Sequence, residues 1–155
     1  NHILKNPKDP VKAINDLIET NHALQKKLDA FNKEKAIMIK KELLKEIKNV
    51  NGVNFVARKV DLDNASIKDI AFQLKAEVSN VFMVLVNESE GKAGINVLVH
   101  EDLVKSKNLH AGNIVKELAR EINGGGGGQP FFATAGGTKV EGLTEVLKKA
   151  VEYNK

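Results

Sequence analysis

The sequence predicts an α/β protein: a long, coiled-coil-like N-terminal helix followed by a small globular domain with a mixed β-sheet and packed helices. Three observations carry that prediction. Residues 10–49 contain no glycine and, after Pro10, no proline; the remainder alternates strand-like apolar runs with amphipathic helical ones; and five consecutive glycines stand at Gly124–Gly128. The 155 residues, 42% apolar and 28% charged, suit one ordinary domain with an appended element. The chain is divided near Asn51-Gly52, into a helical dimerisation segment, 1–50, and a globular glycine-loop domain, 51–155. Asn1 stands where a start methionine would, so a piece of a longer protein is expected.

Asp9-Pro10 starts the helix, with an aspartate able to cap free amides and a proline where its missing N–H costs nothing. Some 40 helical residues would span roughly 60 Å, too long for the remaining domain to cover, so the helix is expected to project or to find a partner. Ile14, Leu17, Leu24, Leu28, Phe31 and Met38 follow three-four spacing, and Asn21 and Lys35 complete the heptad series. Polar residues at alternate a positions fix register and partner number, so these six apolar residues form the candidate dimerisation seam. After Met38 the stripe moves to Ile39, Leu43 and Ile47, a phase change that turns the last turns toward the globular domain.

In that domain, residues 53–60 read as a strand, and Asn64-Ala65-Ser66 offers caps for a helix striped by Ile67, Ile70, Ala71, Leu74 and Val78. Residues 81–87 are almost wholly apolar, as in a central strand buried on both faces. A polar loop, 88–94, leads to an antiparallel partner at 95–100. Residues 111–122 form a second amphipathic helix, and a last one, over 140–153, buries Leu143, Val146, Leu147, Ala150 and Val151.

Charge is unevenly placed. The net +4 comes from residues 1–50, with 11 lysines against 7 acidic residues, whereas residues 51–155 balance 13 against 13. A partner drawn by positive charge should meet the helical third first. Arg58 and Arg120 are the only arginines, and lysine attracts phosphate diffusely instead of reading bases in bidentate fashion, which disfavours sequence-specific DNA recognition. Lys40, Lys41, Lys45 and Lys48 fall on successive helical turns and are the candidate phosphate contacts.

Several classes of chemistry lack their residues. With no cysteine there is no disulfide framework, thiolate zinc site, thiol nucleophile or iron–sulfur cluster, and a reducing cytosol fits, so a cytoplasmic location is expected. The longest apolar runs are far shorter than the roughly 20 residues that cross a bilayer, so a soluble chain without a membrane partner is expected. His2, His22, His100 and His110 show no i, i+4 pairing, and His100-Glu101-Asp102 sends adjacent side chains to opposite faces, so no metal site is expected. No serine sits in a nucleophile elbow, and no catalytic residue is assigned.

The glycine run departs from a generic domain. Five glycines are entropically costly and belong where something approaches the backbone closely. Their amides could form an anion nest, which makes Gly124, Gly125, Gly126, Gly127, Gly128 and Gln129 candidate contacts. A dinucleotide fingerprint fails because Gln129 stands where a glycine is required and the run follows a helix; a P-loop fails because Gly137-Thr138-Lys139 has its order reversed. Phe131 and Phe132 could stack on bases but read first as core.

With residues 111–119 leading into Gly124–Gly128, Gln129-Pro130 and residues 133–137, behind a long helix with a Leu4-Lys5-Asn6-Pro7 lead-in, the chain resembles the C-terminal domain of alanyl-tRNA synthetases. The glycine signature is shared with DHH-family phosphoesterases, but no Asp-His-His occurs here, and Gln129 replaces the histidine typical of those tails. The resemblance implies a non-catalytic module of an ATP-dependent alanine–tRNA ligase, one that dimerises the enzyme, contacts the tRNA elbow and helps the aminoacylation and editing domains act on one tRNA. It implies tRNA(Ala), a second copy and the rest of the synthetase as partners, no cofactor of its own, and ATP and zinc confined to other domains of the parent. Many members of the family carry a basic residue where Gly125 and Gln129 stand here. A purely structural dimerisation module, or the nucleic-acid-binding tail of a DHH-family phosphoesterase, are the alternative readings.

Overall fold

The computed structural model describes residues 9–155. His2 and the Leu4-Lys5-Asn6-Pro7 lead-in lie outside the described residues. By internal contacts the chain forms two units, Asn1–Lys35 and Ala36–Lys155, whereas the sequence reading divides it after residue 50.

In the first unit, helix α1 (Pro10–Glu46) starts as its sequence predicts: Val11 N and Lys12 N donate to Asp9 Oδ1 at 3.1 and 3.2 Å. The apolar stripe that follows is unburied. Leu24, Leu28 and Phe31 are 59, 52 and 62% exposed, and Ile14 and Leu17 are exposed as well.

In the second unit, the end of α1 turns Ile39 and Leu43 inward, with Ala36 and Ile47 half-buried beside them, while Met38 remains exposed. The helix closes with Ile47 N donating to Leu43 O. Lys48–Val50 then forms strand β1, paired antiparallel with β2 (Val53–Lys59). The two-residue turn between them, Asn51 and Gly52, takes φ of 52° and 82°, the left-handed conformation that Asn-Gly favours. That hairpin captures the last residues that periodicity alone assigns to the helix.

Helix α2 (Asn64–Glu77) crosses from β2 to the parallel strand β3 (Val81–Ser89). Its cap is Asp63, whose Oδ1 accepts from Ser66 N at 2.9 Å. β3 turns back into β4 (Lys92–Val99) through Glu90 and Gly91 alone, so the expected 88–94 loop is mostly strand. Short helix α3 (Glu101–Ser106), which the sequence reading lacks, precedes α4 (Ala111–Leu118) and a 3₁₀ turn at Ala119–Ile122. Strands β5 (Gly124–Gly128) and β6 (Phe132–Gly137) and helix α5 (Leu143–Glu152) complete the unit. The six strands run in the order β1-β2-β3-β4-β6-β5.

The sheet carries a core on each face. Val84, Val86, Ile95 and Val97 pack with Val115, Leu118 and Ile122 of the α4 region and Val146 of α5. On the other face Met83, Leu85 and Leu98 lie under Ile67, Ile70 and Leu74 of α2 and Leu43 of α1. β3 feeds both cores, which is why its sequence is apolar without alternation. α4 and α5 cover only the first face, leaving β6 partly open on the second, where Gly136 is exposed and Thr134 half-buried.

Candidate functional site

The glycine run is not a loop. β5 is the outermost strand and pairs antiparallel with β6, and an extended strand lacks the alternating helical-hand conformations of a nest, so the anion nest expected of Gly124–Gly128 is not formed. The glycines divide by position instead. A Cβ at Gly124, Gly126 or Gly128 would lie 2.1, 2.2 or 2.5 Å from the carbonyl oxygens of Gly136, Thr134 and Phe132. At Gly125 a Cβ would meet nothing within 4 Å, and at Gly127 only Lys116 Cε at 3.7 Å. Three glycines are therefore demanded by the close approach of β6, and two are not.

Hydrogen-bond parity gives the direction of the backbone. Val99 N donates to Phe131 O and Gln129 N to Phe132 O, each at 2.8 Å. Odd-numbered residues of β6 thus face β4, and even-numbered ones face β5. Gly125 and Gly127 bond inward to β6, and Gly124, Gly126 and Gly128 turn their main-chain groups to the sheet edge. α4 runs beside that edge. Ala111 N donates to Pro130 O at 2.8 Å, and a Cβ on Gly112 would stand 2.9 Å from Gly128 O. The fold thus brings Lys116 alongside the strand, a residue that nothing in the sequence marks because only the packing of α4 places it there. Gln129 is exposed and sits in the β5–β6 connection.

The four candidate lysines do not share one helix face. Lys40 is engaged by α2, donating to Gln73 Oε1 at 3.1 Å and forming an ion pair with Glu77. Lys41 and Lys45 are exposed, one turn apart, on the side of α1 away from Ile39 and Leu43. Lys48 is on β1, not on the helix, and is exposed there. Glu42 and Glu46 pair with Arg58 Nη1 at 2.7 and 3.1 Å, which removes that arginine from the free cations.

Several other chemistry-bearing groups among the described residues serve the fold. His100 Nδ1 accepts from Asp102 N at 3.3 Å and His110 Nδ1 from Asn113 N at 3.4 Å, so both histidines cap helices. Glu101 is held below the usual carboxylate range mainly by its hydrogen bond to Lys75, whose ammonium also lies 4.7 Å from the centre of the Phe131 ring. Phe132 packs on Phe72 with ring centres 5.5 Å apart, and Phe131 and Phe132 are half-buried. Burial first, and a hydrogen bond to Glu117 second, push the Tyr153 phenol up. Among the described residues no three His, Asp or Glu side chains are placed to hold a metal ion, and no helix is long and apolar enough to cross a membrane.

Residues 49–155 match the DHHA1 domain family model. The chain is 51% identical to an alanine–tRNA ligase of Christiangramia forsetii over 98% of its own length and 18% of the relative's. It is 41% identical to the alanine–tRNA ligase of Cytophaga hutchinsonii over 96% of this chain and 17% of that one. The chain thus spans less than a fifth of these curated relatives. Its fold is similar to the crystal structure of the C-Ala domain from Aquifex aeolicus alanyl-tRNA synthetase, with a TM-score of 0.63 at 17% identity, covering 70% of this chain and 96% of that one.

Proposed function

The chain belongs to the DHHA1 domain family, and from that premise we propose that it is the tRNA-binding and dimerisation module of an alanine–tRNA ligase. It contacts the tRNA elbow and helps the parent's aminoacylation and editing domains act on one tRNA(Ala). It does no chemistry itself and needs no cofactor; ATP and zinc belong to the parent's other domains, and the module works in the cytoplasm. The observation that carries the RNA reading is the edge of β5, where Gly124 and Gly126 present main-chain groups outward, Gly125 and Gly127 are bare without any packing need, and Lys116 lies alongside. Backbone amides and lysines suit shape-based recognition of an RNA backbone, not base reading.

The test is binding of the chain to folded tRNA and to an unstructured RNA of equal length at about 50 and 200 mM salt. Preference for tRNA with a salt-dependent affinity is expected. Lys41→Glu with Lys45→Glu should weaken binding and lower the salt slope by about 2, one for each phosphate that a lysine no longer neutralises. Unchanged affinity and slope would remove those two lysines from the interface, and equal, negligible binding to both RNAs would remove the RNA reading.

Dimerisation is supported by a separate observation: Ile14, Leu24, Leu28, Phe31 and Met38 are each more than half exposed at heptad spacing. Sedimentation on the same samples measures it. Replacing Leu24 and Leu28 by polar residues should yield monomers.

A further inference from the structure

Helix α4, the 3₁₀ turn after it and β5 form a hairpin that reverses at Asn123, where φ and ψ are both 49°. Its two arms lie side by side. At the far end a Cβ on Gly112 would stand 2.9 Å from Gly128 O, and one helical turn later Lys116 Cε would stand 3.7 Å from a Cβ on Gly127. A further turn brings Arg120 to the closed end, where Asn123 N donates to Arg120 O and β5 begins. We propose that this hairpin binds two successive phosphates of one RNA strand, with Lys116 and Arg120 as their cations. The assignment rests on the RNA-binding reading above and adds to it where the strand lies and which side chains hold it.

Charge on the helical arm is already sorted for that use. Lys116 and Arg120 are each followed directly by a glutamate, yet α5 draws both carboxylates away: Tyr153 donates to Glu117, and Lys149 pairs with Glu121. Among the described residues Lys116 and Arg120 make no ion pair, and both residues are exposed. Arg58, the other arginine, is held by Glu42 and Glu46. Arg120 is therefore the arginine whose planar fork is left to grip two oxygens of one phosphate, while the Lys116 ammonium meets the next as a point charge.

The strand arm supplies the surface on which a sugar–phosphate chain can lie. Gly125 and Gly127 are bare without any packing need, and Gly124 and Gly126 turn main-chain groups outward between the levels of Arg120 and Lys116. Backbone N–H groups are common partners of nucleic-acid phosphate and sugar. One helical turn rises about 5.4 Å, close to the step between neighbouring phosphates of a strand. An added peptide strand fits less well, because α4 abuts Gly128 O and leaves only Gly124 and Gly126 open along the edge.

The test measures binding of the full 155-residue chain to tRNA between about 50 and 200 mM salt. Lys116→Gln and Arg120→Gln should each lower the salt slope by about 1, and the pair by about 2. Lys105→Gln, which removes an exposed lysine of α3, should leave the slope unchanged. Arg120→Lys should keep the slope but lose affinity, the mark of a fork and not of charge alone. Gly125→Leu keeps both cations and fits the fold, since its Cβ meets open space, and it should weaken binding severalfold by holding the strand off the backbone. If the parent chain binds tRNA in a salt-dependent way and the slopes of Lys116→Gln and Arg120→Gln are unchanged, this assignment is overturned while the RNA reading stands. Absence of tRNA binding by the parent chain removes both. Polyglutamate that displaces tRNA, and whose own binding is lost in the same two variants, would make the occupant an acidic chain and overturn the RNA assignment.

Discussion

Residues 10–35 and the segment that begins at Ala36 use the same kind of side chain to opposite ends. Leu24, Leu28 and Phe31 are more than half exposed on α1, yet Ile39 and Leu43, a few turns later on the same helix, are 8% and 0% exposed. Both stretches show three-four apolar spacing, and both are helical. The difference teaches that periodicity reports a stripe, not the partner that covers it. The partner is read from where the stripe shifts phase, between Met38 and Ile39, because a shift turns the apolar face to a new direction.

Truncation should separate the two stretches most sharply. Leu43→Ala removes a fully buried side chain between α2 and the sheet and should cost about 3 kcal/mol in urea unfolding, as buried leucine truncations do. Leu24→Ala should leave the unfolding of residues 36–155 within about 0.5 kcal/mol and act on self-association instead. A comparable loss of stability from both would mean that the exposed stripe is folded against this chain after all.

Most of the architecture was legible for the same reason. The unbroken apolar run of β3, the stripe of α2 and the Asp9-Pro10 start each have a single stable use, and the structure shows them so used. What was not legible depended on residues distant in sequence. Lys48 reads as helical until pairing with Phe55 draws it into a hairpin. The glycines read as a loop because no side chain signals β-structure, and only β6 reveals that three of them are compelled by close approach. Lys40 looks like a free cation until α2 folds Gln73 and Glu77 against it. Lys116 gains its place only when α4 lies along β5.

The glycine strand repeats the comparison on a smaller scale. Gly126→Ala would place a methyl group 2.2 Å from Thr134 O and should cost about 1–3 kcal/mol, since β5 must pull away from β6. Gly125→Ala meets nothing and should be neutral, or stabilising by up to about 1 kcal/mol through a less free unfolded chain. Thermal unfolding of the two variants checks this. Equal destabilisation would mean that the strand tolerates no side chain at any position, and Gly125 would then need no ligand to explain it.

The smallest expected effect contrasts two aspartate caps, one in each unit. Asp9 Oδ1 accepts from Val11 N and Lys12 N at the start of α1, and Asp63 Oδ1 from Ser66 N at the start of α2. Asp63→Ala should cost about 1 kcal/mol of global stability, because α2 carries Ile67, Ile70 and Leu74 into the core. Asp9→Ala should only fray the first turn of α1, visible as a small loss of helical signal with no change in the main transition. Asp63 also predicts a pH window. The Ser66 side chain first, and its backbone N–H second, hold the Asp63 carboxyl below its usual value against a smaller opposing effect of burial. A depressed folded-state pKa contributes stability that is present above the unfolded value of about 3.9 and lost as pH falls through the folded value. The penalty of Asp63→Ala should therefore be constant from neutral pH down to about pH 5 and shrink below about pH 4. A penalty independent of pH to pH 2 would mean that the cap acts through the shape of the turn and not through the ionised carboxylate.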